Sequence, residues 1–209
     1  MTRRFREDRL LVATHNPGKL EEIADLLGPY GVAVTGAPDH GLAVPEETEP
    51  DFEGNARLKA RAAARATGLA ALSDDSGLEV AALDGAPGVH TADWAETGAG
   101  RDFAMAMRRV HDALIAAGAE EPWRARFCCA LALVWPDGAE TVVLGTAPGR
   151  IVWPMRGEHG HGYDPIFLPD GHDRTFAEMD RWVKNRLSHR ADAFNQLIEK
   201  CFADDASGA

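Results

Sequence analysis

The sequence predicts an α/β fold with a mixed β-sheet, because strand and helix patterns alternate along the chain and one pair of strands shares a tight turn. Short apolar runs alternate with segments in which apolar residues recur at helical spacing. Two β-rich runs, 126–135 and 141–146, flank Pro136-Asp137-Gly138 and indicate a hairpin. Since the strands of a hairpin are antiparallel, we do not expect a wholly parallel sheet.

The first predicted elements are an apolar strand over 10–13, a polar turn and an amphipathic helix. Asn16 is a candidate N-cap, and Pro17 suits the first helical position. Free backbone N–H groups at this helix end, with Lys19 beside them, suit a phosphate. The turn is not a Walker A sequence, which needs Ser or Thr where Leu20 stands. A capped helix with a solvated lysine explains the same residues without any ligand.

The remaining elements are predicted from helical spacing, alternation and glycine-bounded ends. A strand is expected to stop at the charged turn over 73–77, and the glycine-rich stretch 157–163 is expected to be a loop. The other predicted elements are a helix over 52–67, a strand over 69–72, an extended or short helical segment over 78–83, a helix over 101–117, a final helix over 189–202 and a loose end over 203–209.

Length and composition indicate a single globular domain over residues 1–209, with 45% hydrophobic and 26% charged residues. The formal charge of −11, from 22 basic and 33 acidic residues, argues against a nucleic-acid partner, because duplex binding neutralises many phosphates at once. A small anionic ligand remains compatible with this charge, since a few local cations and a metal ion can balance it.

The three cysteines, Cys128, Cys129 and Cys201, show no metal-ligand spacing, and a reducing compartment explains them most simply. The sequence has no apolar run with the length of a signal peptide or a membrane span. We therefore expect a cytoplasmic protein that has no membrane partner.

Two adjacent carboxylates, Asp74 and Asp75, follow an apolar strand. They repel one another and are desolvated together, so a hard divalent cation with oxygen ligands is their natural partner. Glu46 and Glu47 would add ligands if the fold brings them near. Taken alone, the motif is slightly more typical of a polar turn in which Asp74 caps local backbone groups.

The last third of the chain contains two motifs rich in aromatic rings and hydrogen-bond donors, HGHGYDP over 159–165 and KNRLSHR over 184–190. Such groups suit a nucleotide base and its phosphates. His159 and His161 stand at alternate positions, but no third ligand of recognisable spacing follows them, so zinc is not favoured.

Taken in order, the motifs resemble those of the family of noncanonical purine nucleoside triphosphate pyrophosphatases, which act on inosine and xanthosine triphosphates. The resemblance extends from Leu10 to about Leu197. It rests on the segments ATHNPGKLEEI, EETEPDFEGNARLKA, SDDSGLEVAALDGAPGV, ARFCCAL, GYDPIF and KNRLSHR. The resemblance implies an elongated mixed α/β fold of two lobes around a nucleotide-binding cleft, and a homodimer.

The resemblance also implies a role for individual residues. Mg²⁺ would be bound by Glu46 and Asp75, and Asp75 would be the general base, although the motif itself does not decide between Asp74 and Asp75. The substrate would be bound by Thr14, His15, Asn16, Pro17, Gly18 and Lys19 at the triphosphate, by Ser76, and by His161, Gly162, Tyr163, Asp164, Lys184, His189 and Arg190 in the rest of the pocket.

The implied activity is hydrolysis of the triphosphates of inosine, deoxyinosine and xanthosine to the monophosphate and pyrophosphate. A pyrophosphatase for modified pyrimidine nucleotides and a non-catalytic nucleotide sensor are the alternatives. Three positions depart from the family pattern: His161 replaces a typical Phe, Gly54 replaces a frequent Glu, and Asp93 replaces a common Arg. The preference among the three purine substrates stays open.

Overall fold

A computed structural model describes residues 3–203, and residues 1–2 and 204–209 lie outside the described part. The predicted loose end over 203–209 therefore falls outside it except for Ala203. The strands are β1 Arg9–Val12, β2 Ala33–Gly36, β3 Ala71–Val80, β4 Glu96–Thr97, β5 Gly100–Arg101, β6 Trp123–Val134, β7 Glu140–Ile151 and β8 Phe167–Pro169. The α-helices are α1 Pro17–Leu27, α2 Phe52–Thr67, α3 Phe103–Ala116, α4 Arg181–Leu187 and α5 His189–Leu197, and a π-helical turn, Ile198–Phe202, follows α5.

Six strands form one sheet in the order β2-β1-β3-β6-β7-β8, while β4 and β5 form a separate small hairpin. Strand β1 is parallel to both β2 and β3, whereas β7 and β8 are antiparallel. Neighbours β6 and β7 are joined by the turn at Trp135, whose N–H donates to the Ala139 carbonyl at 2.9 Å. The connection between β6 and β7 is too short for a crossover between parallel strands, so the two strands form an antiparallel hairpin. The mixed sheet and the hairpin predicted from the sequence are confirmed.

Strand β3 corrects one prediction, because it continues through the residues expected to form a turn over 73–77. Burial alternates along it: Ser73 and Asp75 are buried, while Asp74 and Ser76 are half-buried. Successive side chains of a strand point to opposite faces. The two adjacent carboxylates therefore lie on different faces of β3 rather than together at a loop.

The chain divides into two compact units, formed within the described residues by 3–75, 130–144 and 193–203 in unit 1, and by 76–129 and 145–192 in unit 2. The core of unit 1 includes the fully buried residues of β1 and the alanine-rich face of α2, namely Leu10, Leu11, Val12, Ala56, Ala60, Ala63 and Ala64. The core of unit 2 includes Leu78, Val80, Val110, Leu114, Phe127, Ile166, Phe167 and Phe176. Among the described residues, no helix has the length and apolar character needed to span a membrane.

Candidate active site

The turn after β1 caps helix α1. The side-chain oxygen of Asn16 accepts hydrogen bonds from the N–H groups of Gly18 and Lys19, at 2.9 and 3.3 Å, and Pro17 is the first helical residue. The predicted N-cap is confirmed. The predicted free N–H groups are not found at these two positions, because Asn16 already satisfies both. Next to the cap, Nε2 of His15 donates to the carbonyl oxygen of Leu42 at 2.7 Å.

Lys19 of α1 and Asp74 of β3 form an ion pair in unit 1. The Lys19 ammonium lies 2.7 Å from Oδ2 of Asp74, whose side chain is only 10% exposed. The pair joins two motifs that lie 55 positions apart in the sequence. It gives a partly buried cation directly beside the turn over 14–18, a location that suits an anionic group.

A second ion pair lies around Lys59 of α2. Its ammonium contacts the carboxylate of Glu47 and lies 3.6 Å from Oδ1 of Asp75. The Lys59 and Asp75 side chains are 12% and 10% exposed, so the contact is largely screened from water. Buried charges that are paired influence one another far more strongly than exposed ones. Asp74 and Asp75 thus have different lysine partners.

The carboxyl group of Asp75 is less acidic than an ordinary aspartate, with a raised pKa. Burial raises its pKa, the charges of Glu47 and Asp74 raise it further, and Lys59 and a hydrogen bond from Asn55 oppose the rise, so that the pKa reaches about 6. Burial alone would lower the pKa of Lys59, but the charges of Asp75 and Glu47 outweigh it, and the pKa is raised. A carboxylate that is ionised at neutral pH yet basic enough to take a proton is suited to general-base catalysis.

Asn55 connects the acidic segment before α2 to the helix. It is 1% exposed, and its side-chain oxygen accepts the N–H of Glu49 at 3.0 Å. A Cβ at Gly54 would lie 2.6 Å from Cβ of Glu49. Because Gly54 has no side chain, the acidic segment can pack against α2. This packing explains why glycine replaces the frequent Glu of the family at this position.

Sequence reasoning did not select Lys59 or Asn55 as site residues. A signal was present in the pattern of α2, whose buried residues include Asn55, Ala56, Ala60 and Ala63. Lys59 follows Asn55 by one helical turn, so both side chains lie on the face that the alanines bury. Polar side chains on a buried helical face need hydrogen-bond or charge partners. This requirement identifies Asn55 and Lys59 as candidate site residues.

The carboxylates around Lys59 have the chemistry of a Mg²⁺ site, since Mg²⁺ prefers oxygen ligands and uses one or two carboxylates together with water and phosphate oxygens. Asp75 and Glu47 both contact Lys59, and Glu46 and Glu47 are both exposed. Within residues 3–203 there is no group of three or more His, Cys, Asp or Glu residues arranged to hold a metal ion by themselves. Asp75 and Glu47 would supply two carboxylates to an ion, and water and phosphate oxygens would supply its other ligands.

In unit 2, the loop over 157–163 is held by the buried carboxylate of Asp164. Its Oδ2 atom accepts the N–H of His161 at 2.6 Å and binds the ammonium of Lys184 at 2.5 Å. Gly160 has φ +81°, and a Cβ there would lie 2.1 Å from the same Oδ2 atom. The loop closes on Asp164 because this position has no side chain. His161 itself is exposed, and Gly162 is half-buried.

Tyr163 anchors this loop in the core of unit 2. It is 1% exposed, its hydroxyl donates to the carbonyl oxygen of Thr91 at 3.0 Å, and its ring meets Phe103 edge-on at 5.8 Å. Burial raises the pKa of its phenol. The Tyr163 ring has a structural role in the described chain.

An aromatic row runs beside the Asp164–Lys184 pair in the same unit. The Lys184 ammonium lies 5.7 Å from the Phe176 ring centre, and Phe127 stacks on both Phe176 and His189, at 6.0 and 5.0 Å between ring centres. Helix α5 begins at His189, so the next residue, Arg190, is in its first turn and is half-buried. Flat rings and donors in one cluster suit a planar heterocycle.

The predicted site residues thus form two sets. The turn over 14–19 and the acidic residues Asp74 and Asp75 lie in unit 1, and the loop residues His161 to Asp164 with Lys184, His189 and Arg190 lie in unit 2. Ser76 is the first residue of unit 2, half-buried on β3.

Comparison with known proteins agrees with these observations. The sequence is 64% identical to a dITP/XTP pyrophosphatase of Ruegeria pomeroyi, over 97% of this chain and 99% of that protein. It is 56% identical to a dITP/XTP pyrophosphatase of Rhodospirillum centenum, over 96% of this chain and 98% of that protein.

Solved structures show the same likeness. A HAM1 protein from Coxiella burnetii superposes with a TM-score of 0.86 and 38% identity, over 91% of this chain and 96% of that one. The Staphylococcus aureus Ham1 protein superposes with a TM-score of 0.82 and 34% identity, over 90% and 95% of the two chains. The sequence model of the Ham1 family matches residues 10–200. The family resemblance predicted from the motifs is confirmed, and the chain belongs to the Ham1 family.

Proposed function

We propose that this protein hydrolyses the noncanonical purine nucleotides dITP, ITP and XTP to the monophosphate and pyrophosphate. The observation that carries the proposal is the buried contact between Lys59 and Asp75, with a carboxyl pKa of about 6 for Asp75. Relatives that are 64% and 56% identical over nearly their full lengths are dITP/XTP pyrophosphatases, which supports the substrate class.

Asp75 is the proposed general base. Water attacks the α-phosphorus, its proton passes to the Asp75 carboxylate, and the bond from the α-phosphorus to the bridging oxygen breaks as pyrophosphate leaves with that electron pair. At neutral pH, a carboxyl with a pKa of about 6 is mostly ionised and can accept this proton. The cations Lys19 and Lys59 lie beside the two carboxylates of β3 and offset the charge that develops on the phosphate oxygens.

Mg²⁺ is the proposed cofactor, with Asp75 as one ligand and Glu47 or Glu46 as the second. The ion would polarise the phosphoryl oxygens and offset the negative charge of the leaving pyrophosphate. Of the two glutamates, Glu47 is the better placed, because it shares the Lys59 ammonium with Asp75.

The residues of unit 2 are the proposed contacts of the base. His189 and Arg190 supply donors that match the 6-keto oxygen of hypoxanthine and xanthine. The amino group of adenine is itself a donor, so the same contacts would be lost with ATP, and a polar group left unpaired strongly disfavours the wrong substrate. The aromatic row of Phe176, Phe127 and His189 provides flat surfaces beside these donors.

The protein is also proposed to act as a homodimer in the cytoplasm. Three free cysteines, all buried, support a reducing compartment. The net charge of −11 supports a small-molecule substrate rather than a nucleic acid. Sedimentation equilibrium of the purified chain tests the dimer directly.

Product identification across a panel of nucleotides in Mg²⁺ tests the activity. We expect dITP, ITP and XTP to give the monophosphate and pyrophosphate, with ATP and GTP turned over much more slowly. Release of orthophosphate alone would show that the bond to the α-phosphorus is not the one broken. Turnover confined to modified pyrimidine nucleotides would favour a pyrimidine nucleotide pyrophosphatase, and binding without turnover would favour a nucleotide sensor. The Asp75→Asn variant provides the inactive control.

A further inference from the structure

The turn after β1 lies where the order of the parallel strands reverses. Helix α1 connects β1 to β2 on one side, and helix α2 then leads back to β3 on the other side of β1. In open α/β sheets, ligands bind outside the carboxyl ends of the strands at such a reversal. The last paired residues of β1 and β3 are Val12 and Leu72, so the turn over 14–18 and Asp74 follow at this edge. The topology itself therefore favours a ligand site beside Asp74.

The ammonium of Lys19 is a cation at this edge, and the carboxylate of Asp74 offsets its charge. The two groups are 2.7 Å apart, and the Asp74 side chain is only 10% exposed. The backbone N–H groups of Gly18 and Lys19 are already bonded to the side-chain oxygen of Asn16. An anion that binds at this turn therefore shares the Lys19 ammonium with Asp74.

This sharing lowers the affinity of the turn for an anion. An ammonium has three N–H donors, so Lys19 can keep its contact with Asp74 while it donates to a phosphate oxygen. The carboxylate and the phosphate are then held close together, and like charges repel one another most strongly where little water separates them. Of the two products of the proposed reaction, pyrophosphate carries more negative charge than the monophosphate, so Asp74 weakens the binding of pyrophosphate more.

We propose that Asp74 is a positioning residue that acts through Lys19: it holds the ammonium in place, limits the affinity for pyrophosphate and so speeds the release of this product. The proposal rests on the proposed function and deepens it by giving Asp74 a role that differs from the role of Asp75. Because product release limits the turnover of many enzymes, a site that binds its product less tightly gains in kcat.

Calorimetric titration with inorganic pyrophosphate in Mg²⁺, at one pH and one ionic strength, tests the proposal without turnover. Asp74→Asn keeps the shape of the side chain but removes its charge, and we expect the dissociation constant to fall by about tenfold. Asp74→Glu keeps the charge, and its constant should stay within about twofold of the wild-type value. Glu21→Gln is the matched control, because it removes an exposed negative charge from α1 at a position that does not face the side of Lys19. It should change the constant by less than about twofold, since exposed charges are screened.

A gain in affinity separates this role from structural damage, because a damaged site binds its ligand less tightly. Asp74→Ser removes the same charge and should give the same gain, so the comparison does not depend on the folding of one variant. In steady-state kinetics, pyrophosphate should inhibit Asp74→Asn at a concentration about tenfold lower than for the wild type. Lys19→Met should instead raise the dissociation constant by about tenfold, because it removes a charge-assisted hydrogen bond to the phosphate.

Weaker, unchanged or undetectable binding of pyrophosphate by both neutral variants of Asp74 would overturn its role. An unchanged constant in Lys19→Met would place pyrophosphate away from this ammonium and would overturn it as well. The proposed function fails separately: if the wild type hydrolyses neither dITP nor XTP, the activity is refuted, while the pyrophosphate affinities still decide the role of Asp74.

Discussion

The ammonium of Lys59 lies 3.6 Å from Oδ1 of Asp75, and neither side chain is more than 12% exposed. Each group controls the charge of the other. The lysine opposes the effect of burial on the carboxyl, whose pKa reaches about 6, and the carboxylates raise the pKa of the lysine. Removing Lys59 would leave the buried carboxylate of Asp75 without this compensation, whereas Lys59 would keep its contact with Glu47 if Asp75 were removed.

Lys59→Met should lower activity and move its pH dependence. Loss of the cation raises the pKa of Asp75 further, so less of the carboxyl is ionised at neutral pH, and kcat/KM should fall by about 100-fold. The acid limb of the pH–rate profile should shift to higher pH, as measured by pyrophosphate release. Arg61→Met is the matched control, because Arg61 is on the same helix but is 49% exposed and pairs with Glu140. An acid limb that coincides with the wild-type one would contradict the coupling.

Asp75 should make the metal-free protein less stable as pH rises. Its pKa is 3.8 in the unfolded chain and about 6 in the folded one, so the folded state binds the proton more tightly. The free energy of unfolding therefore decreases between these two pH values and stays about 3 kcal/mol lower above them. Asp75→Asn removes this dependence and should be the more stable protein at about pH 8, despite having no turnover.

Urea unfolding with a chelator present, at about pH 4.5 and about pH 8, measures the difference between wild type and Asp75→Asn. Taking the difference cancels the titration of the other groups that the two proteins share. A variant that is destabilised equally at both pH values would show that the Asp75 carboxyl has an ordinary acidity in the fold.

The parts of the fold with local signals could be predicted from the sequence. Helix α2 has the predicted bounds, Phe52–Thr67, because Asp51 caps its start and Gly68, at φ +70°, ends it. The N-cap at Asn16 was also predicted from the sequence. Short edge strands lacked such signals: β2 is four residues long, and β8 ends in Pro169. Helix α4, seven residues long, was not predicted either.

The candidate site was only partly predictable, because its carboxylates depend on distant partners. Asp74 and Asp75 were expected in a turn, yet they occupy the middle of β3, where Lys19 and Lys59 compensate them. No local pattern reveals a pairing between residues that are 55 positions apart. A polar segment can continue a strand when other elements supply opposite charges to it.

Gly160→Ala should weaken substrate binding more than it weakens the fold. A Cβ at this position would lie 2.1 Å from Oδ2 of Asp164, the atom that binds Lys184 and the His161 N–H, so the carboxylate must move. Gly171→Ala is the control: it has a similar φ of +77°, but nothing lies within 4 Å of its added Cβ. Both variants should lose about 1 kcal/mol of stability from the left-handed backbone.

Only Gly160→Ala should also raise KM, by about tenfold, as the donors around Asp164 are displaced. Thermal unfolding and steady-state kinetics on both variants separate the two effects. Equal KM values in the two alanine variants would remove the Asp164–Lys184 pair from substrate binding.

The two adjacent glutamates before α2 should differ in their effect on Mg²⁺. Glu47 shares the Lys59 ammonium with Asp75, so Glu47→Gln should raise the Mg²⁺ concentration for half-maximal activity by about tenfold. Glu46→Gln should change this concentration little. Melting temperatures measure the same difference without turnover, because an ion stabilises the fold only to the extent that it binds. Adding Mg²⁺ should raise the melting temperature of Glu47→Gln less than that of Glu46→Gln. If Glu46→Gln instead shows the larger loss in both measurements, the second ligand is Glu46, and the segment before α2 must rearrange when the ion and substrate bind.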